Sequence, residues 1–422
     1  MDSEPISLRT LTILLKYERS ISDVRFPNVR LINTSFVDPA CKLSAEAMGV
    51  NFPKRPKTIM EEHFHHFAQY NTLAFSPEEA AAATCLIHPS AQPAIKELSL
   101  QTRDLIFNIT RGSGGCSHAL RLYQHFFELY PPGQEISIQL GEEEPFLVKP
   151  SSSLLLIYKI VGPKLFSFFQ IESPTPQNPN AYRYQASADD EGFTHAVLTF
   201  PHPNRPLKRI VVDMTSLQYG AAAGGMYGEP YFIGTMEDWN AMMSKCCERW
   251  ELETIFNELA GESEFNKNAK ECAEKVWKRW QKREELPWCH YCGIPGGGVD
   301  LKQCASCRAV KYCCKEHQAA DWKLHKLTCK KTRGTTTKKA TGKNEAIHNA
   351  APQSPVYHSN KETQGRKGIG REKQIRLFPD SDMRKKGRGK EERIWSSGGT
   401  WRGIASAFWC HVGDWMLKRI ER

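Results

Sequence analysis

Between residues 289 and 329 the chain places eight metal-grade side chains in four pairs: Cys289/Cys292, Cys304/Cys307, Cys313/His317 and His325/Cys329. Two C-x2-C steps, one C-x3-H step and one H-x3-C step within about forty residues make a chance arrangement untenable. A segment this short buries too little apolar area to fold unaided. It also contains Pro295 and the run Gly296-Gly297-Gly298, which oppose regular structure. Thiolates and imidazoles at these spacings are ligands of tetrahedral zinc, and eight of them suffice for two ions. Every position is filled by protein, so no coordination site stays open for water; this points to structural rather than catalytic zinc. Metal binding then supplies most of the segment's folding free energy, an apparent ~10–16 kcal/mol per structural site near neutral pH. Disulfides are not expected, since no signal peptide is evident and the spacing is that of metal sites.

With Tyr312 ahead of Cys313 and the pattern Gln318-x2-Asp321-Trp322, the segment resembles the MYND-type zinc finger over about a tenth of the chain. One departure is visible: the sixth ligand in most of that family is Cys, and here it is His317. The resemblance implies cross-braced pairing, with Cys289, Cys292, Cys313 and His317 on one ion and Cys304, Cys307, His325 and Cys329 on the other. The members of Cys313/His317 and of His325/Cys329 lie about one helical turn apart, so each pair can project from one helix face. Cys314 is a competing thiol, but a neighbour in a helix points about 100° away, which favours Cys313. The family recruits partners through short proline-containing peptides, using a Gln and a Trp one turn apart; Gln318 and Trp322 match. Trp322 has a second reading, as packing in the finger's small core.

The net charge of +10 is not spread evenly. Residues 330–422 hold 22 basic and 9 acidic side chains, leaving 35 basic and 38 acidic for the rest. Residues 330 to about 393 are poor in apolar side chains, so a disordered basic tail is expected. Its run Arg384-Lys385-Lys386-Gly387-Arg388-Gly389-Lys390 suits an import signal or nucleic-acid contact, or equally a solvated linker. Nucleic acid is therefore expected only through the tail. The last stretch, with Trp395, Trp401, Phe408, Trp409 and Trp415, suits a short amphipathic helix or a plain terminal appendage. No apolar run reaches the about eighteen residues that a membrane span needs. The expected location is intracellular, nucleus or cytoplasm.

The expected fold class is α+β. A mixed body covers residues 1–235, a helical connector 236–286, the two-zinc finger 287–329 and the basic tail 330–422. In the body, residues 79–86 and 119–130 read as helices, and 136–140, 146–149, 154–161, 196–200 and 210–212 as strands. In the connector, Trp239, Met242, Met243, Cys246 and Trp250 recur at three- and four-residue steps, as a helix requires. A break is expected at 261–263 before a second charged helix. Cys246, Cys247 and Cys272 lack metal spacing and read as buried thiols.

The body holds a second constellation. Gly114-Gly115-Cys116 precedes an expected helix, and a helix N-terminus favours a thiolate. His195 and Asp213 fall on successive expected strands and can meet across the pair. Cys, His and Asp in that order, with Gln218-Tyr219-Gly220 and Glu229-Pro230-Tyr231-Phe232-Ile233-Gly234 following, resemble the transglutaminase-like branch of papain-like cysteine enzymes. That resemblance implies Cys116 as nucleophile, His195 as base and Asp213 as its orienter. Against it stand a packing cysteine and a core histidine, or such a fold kept for binding only. Two functions therefore compete: an interaction adaptor working through the finger, and a cysteine-dependent acyl-transfer or peptidase-like enzyme. A SET methyltransferase is disfavoured, because the chain lacks an Asn-His-x-Cys segment and its finger follows the body instead of interrupting it.

Overall fold

The computed structural model describes residues 4–23, 25–26, 29–41, 57–69, 87–172, 182–187, 192–256, 259, 264–297 and 299–329. The expected helix at 79–86, the break at 261–263 and the whole basic tail lie outside these residues.

Five antiparallel strands form the central sheet, in the order β10 (Phe232–Thr235), β9 (Arg205–Asp213), β8 (Phe193–His202), β5 (Leu154–Pro163), β11 (Cys247–Phe256). Alternation along the strands sends successive side chains to opposite faces. Leu155, Ile157, Ala196, Leu198, Phe200, Ile210 and Val212 face one core, together with residues of α1 (Leu8–Ser22), α3 (Cys116–Leu129) and α5 (Glu264–Gln281). Leu156, Tyr158, Ile160, Val197 and Val211 face another core, closed by α4 (Met236–Cys246) through Trp239, Met242 and Met243. The sheet is thus covered on both faces, which accounts for the nearly unbroken apolar run in β5.

A second sheet runs β1 (Val29–Thr34), β2 (Glu61–Gln69), β6 (Leu165–Glu172), β7 (Tyr182–Ala186), with β2 and β6 parallel. Its core residues Leu31, Phe67, Leu165, Phe169 and Ile171 pack with Ile106 and Ile109 of α2 (Leu100–Gly112). A small hairpin, β3 (Ile136–Ile138) with β4 (Phe146–Val148), lies beside the first core. No helix among the described residues is long and apolar enough to cross a membrane.

The class, α+β, is as the sequence implies, and the strands read in the body are all present. The connector differs. Its helices α4 and α5 form, but residues 247–256 between them are strand β11, paired with β5 from Cys247↔Pro163 to Phe256↔Leu155. The helical periodicity ends at Cys246; Trp250 belongs to the strand. As an edge strand with most side chains in solvent, β11 shows little of the apolar alternation that marks a strand. Segment 236–286 is therefore built into the body: β11 borders the sheet, and Cys272, Ala273 and Val276 of α5 enter the main core. Cys246, Cys247 and Cys272 are buried thiols. A capping box opens α4, with Thr235 Oγ1 accepting from the Asp238 amide at 3.2 Å and Asp238 Oδ2 accepting from the Thr235 amide at 3.1 Å.

Candidate functional site

The finger consists of β12 (Lys302–Gln303), β13 (Lys311–Tyr312) and helix α6 (Lys315–Thr328). Its two groups of ligand atoms fall as the cross-braced pairing requires. Cys289, Cys292, Cys313 and His317 form one group and Cys304, Cys307, His325 and Cys329 the other, each with its atoms within 4.8 Å of one another. In a tetrahedron of ~2.3 Å Zn–S and ~2.0 Å Zn–N bonds, sulfurs lie ~3.8 Å apart and sulfur and nitrogen ~3.5 Å apart. Cys292 Sγ and Cys313 Sγ are 3.9 Å apart, Cys304 Sγ and Cys329 Sγ 3.9 Å, and Cys307 Sγ and His325 Nε2 3.5 Å. His317 Nδ1 faces Cys313 Sγ at 2.9 Å and Cys289 Sγ at 3.8 Å. The donor set fits one structural zinc in each quartet, and the separations match the tetrahedral values apart from the shorter His317–Cys313 pair.

Cys313 and Cys329 bracket α6 rather than lying within it, and His317, Asp321 and His325 form its buried face at four-residue steps. Cys314 takes another part. It is the N-cap of α6, its sulfur accepting from the His317 amide at 3.4 Å. Trp322 is not core packing: it is 43 % exposed, with its ring edge-on to His325 at 5.9 Å. Gln318 lies one turn before it on the same helix.

The finger is joined to the body by polar contacts that the sequence pattern does not reveal. Asp321 forms an ion pair with Arg9 of α1, is 3.3 Å from His290 Nδ1, and accepts from the Tyr312 hydroxyl at 2.6 Å. Burial pushes its carboxyl up, but the His290 hydrogen bond and the Arg9 charge outweigh that and hold it below the usual range. His317 Nε2 meets Asp104 Oδ2 of α2 at 2.9 Å. Tyr17 of α1 enters the finger's own core beside Cys289, Ile294, Cys304 and Tyr312. Gly293 permits that approach: its φ is +82°, and a Cβ there would stand 2.7 Å from Tyr17 Cβ and 2.8 Å from the Ile13 carbonyl oxygen. Arg9, Tyr17 and Asp104 carry no motif, and their part becomes visible only once the two portions are docked.

The structure also brings Cys116, His195 and Asp213 together. Cys116 opens α3, directly after the N-cap Gly115. Gly114 has a φ of +60°, and a Cβ on Gly115 would collide with the buried Arg19 guanidinium, so the two glycines serve different needs. His195 on β8 and Asp213 on the adjacent β9 are 2.7 Å apart, Nε2 to Oδ2. Asp213 Oδ1 accepts from the Thr215 amide at 3.0 Å, and Oδ2 accepts from the Trp239 indole at 3.4 Å. The Gln218 amide stands 3.0 Å from His195 Nδ1. With its oxygen there it accepts from an imidazolium; with its nitrogen there it donates to the neutral ring. Burial opposes a charge on His195, but Asp213 and the Cys116 thiol raise its pKa to about 10. Burial likewise opposes the Cys116 thiolate, yet the hydrogen bond and charge of His195 bring its pKa below that of an ordinary thiol. The group is enclosed: Cys116 is 2 %, His195 0 % and Asp213 1 % exposed.

Comparison with known proteins identifies the class of the finger. Residues 289–329 match the family model described as MYND finger. In the same region the chain is 50 % identical over 44 residues to human Egl nine homolog 1, which is 10 % of each chain. It is 48 % identical over 42 residues to the Caenorhabditis elegans hypoxia-inducible factor prolyl hydroxylase, 10 % of this chain and 6 % of that one. It is 58 % identical over 32 residues to SET domain-containing protein 14 of the same organism, 8 % of each. The chain thus spans a tenth or less of the length of these relatives. No solved structure matches it. Residues 289–329 are a MYND finger, a zinc-binding protein-interaction domain.

Proposed function

We propose that the protein is an interaction adaptor whose finger recruits partners through short proline-containing peptides. The exposure of Trp322 on the outer side of α6, one turn after Gln318, carries this reading. An indole left in solvent on a helix whose other face is fixed by metal ligands is a ready anchor for an apolar ring, and the neighbouring amide can pair with peptide backbone. The body holds that helix still through Arg9 and Asp321. Trp322→Ala should weaken binding of a proline-containing peptide about 30-fold, the equivalent of ~2 kcal/mol for an aromatic anchor. Gln318→Ala should weaken it less, and zinc content should be unchanged in both. Titration against a panel of proline-containing peptides checks this; undiminished binding by a zinc-replete Trp322→Ala chain would refute the face.

A second reading, cysteine-dependent acyl transfer by Cys116, is favoured by one observation: Cys116 opens α3 beside the hydrogen-bonded His195–Asp213 pair, its thiol 3.9 Å from the carbonyl of Thr194, the residue before His195. In that reading the thiolate attacks an acyl carbon, the imidazolium returns the proton to the leaving group, and Asp213 orients the ring. Alkylation of the folded chain separates the two readings. An ordinary thiol of pKa near 8.5 loses reactivity about tenfold per pH unit below that value. A thiolate favoured by a neighbouring imidazolium should instead react faster at about pH 6 than an ordinary thiol does. His195→Ala should restore the ordinary slope. A Cys116 that iodoacetamide does not reach at any of these pH values would leave the network as part of a binding scaffold.

A further inference from the structure

We propose that Asp104, on body helix α2, is part of the finger's first metal centre as the positioning residue of His317. The departure at the sixth ligand makes this possible. A thiolate has one atom to give, and the metal takes it; an imidazole has two. Nδ1 of His317 faces Cys313 and Cys289, and Nε2 is left for Asp104 Oδ2 at 2.9 Å. Metal-holding histidines characteristically donate their second ring N–H to a carboxylate, which fixes the tautomer, aims the ring and makes the ligating nitrogen more basic. Here that carboxylate comes from 213 residues earlier in the chain, outside the finger.

The second centre provides the contrast. His325 turns Nε2 toward Cys307 at 3.5 Å, and its buried Nδ1 has no hydrogen-bond partner among the described residues. The body supplies a carboxylate to the histidine of one centre and none, among the described residues, to that of the other. The finger therefore gains its full affinity for the first ion only when docked on α2. Zinc in that centre in turn holds His317 in the orientation that keeps Asp104 engaged, so metal and docking support each other.

The test uses the full-length, zinc-loaded chain and a chromogenic zinc chelator. In Asp104→Asn one of the two ions should bind 10–100-fold more weakly, the usual effect of losing such a carboxylate, while the other is unchanged. His317→Cys removes the second ring nitrogen, and adding Asp104→Asn to it should then change nothing. Unchanged affinity for both ions in Asp104→Asn overturns the proposal. Loss of both ions together also overturns it, by placing Asp104 in the general fold. An equal weakening in the His317→Cys background does the same, because the carboxylate would then act through docking rather than through the imidazole. Nitrogen-15 histidine spectra of the loaded chain give a reading that does not depend on His317→Cys. The His317 Nε2 proton should appear downfield and move upfield in Asp104→Asn; a signal indifferent to Asp104 overturns the assignment.

Discussion

Removing zinc from the intact chain with a strong chelator should release two equivalents per chain and unfold residues 289–329. Each quartet brings together three thiolates and an imidazole, and nothing else in so small a segment compensates for its ordering entropy. Loss of ~10–16 kcal/mol of binding free energy per centre far exceeds the few kcal/mol that a core of this size supplies. The loss should also reach the body. Tyr17 packs among Cys289, Ile294, Cys304 and Tyr312, so unfolding of the finger uncovers one side of α1. Cys304→Ser should reproduce the effect on its own centre. Cys314→Ser should leave zinc at two equivalents, because that sulfur caps α6 and a serine oxygen is a good N-cap acceptor. Metal analysis and circular dichroism before and after chelation check all three; a single equivalent, or a finger indifferent to chelation, would contradict the two-centre assignment.

Asp213→Ala should destabilise the body by about 3–5 kcal/mol, as expected when one partner of a buried charged pair is removed. Its carboxylate accepts from His195, Thr215 and Trp239 where water cannot replace it. The effect has a pH signature. The folded pKa of His195 is raised from 6.5 to about 10, so the stability gained from its pairing is fully present below about pH 6.5 and is lost as pH rises through about 10. Urea titrations of the parent and Asp213→Ala should therefore differ most near pH 6, with the gap narrowing as pH rises through about 10 to what the Thr215 and Trp239 bonds supply. A gap that is small at pH 6, or that widens with pH, would show that His195 is not held as the imidazolium by Asp213.

Legibility in the sequence followed the range of the interaction. Zinc ligands are recognisable because their spacing is local: a C-x2-C step or a four-residue step along α6 fixes geometry whatever surrounds it. Body strands such as β5 and β8 show as apolar runs because both faces of their sheet are buried. Strand β11 did not show, since its edge position leaves Glu248, Glu251 and Glu253 in solvent, and the preceding helical period blends into it. Helix α1 escaped for the opposite reason. Its buried side includes Lys16, Glu18 and Arg19, polar side chains that make sense only beside Asn108, Arg279 and the Arg111 carbonyl. Asp104 had no signal at all: a lone carboxylate on a body helix acquires meaning only from an imidazole brought to it by the fold.

The Arg9–Asp321 pair joins residues 312 positions apart, and this sets an order of events during synthesis. Ribosomal elongation runs at ~5–20 residues per second, so the first helix waits about 15–60 s for the partner that completes its surface. Until then Ile13 and Tyr17 present to the surroundings the side that Gly293 later covers. The nascent chain therefore cannot finish its N-terminal portion first, as a row of independent modules would. Because the finger needs its metal to fold, zinc binding in turn sets when this face of α1 is covered.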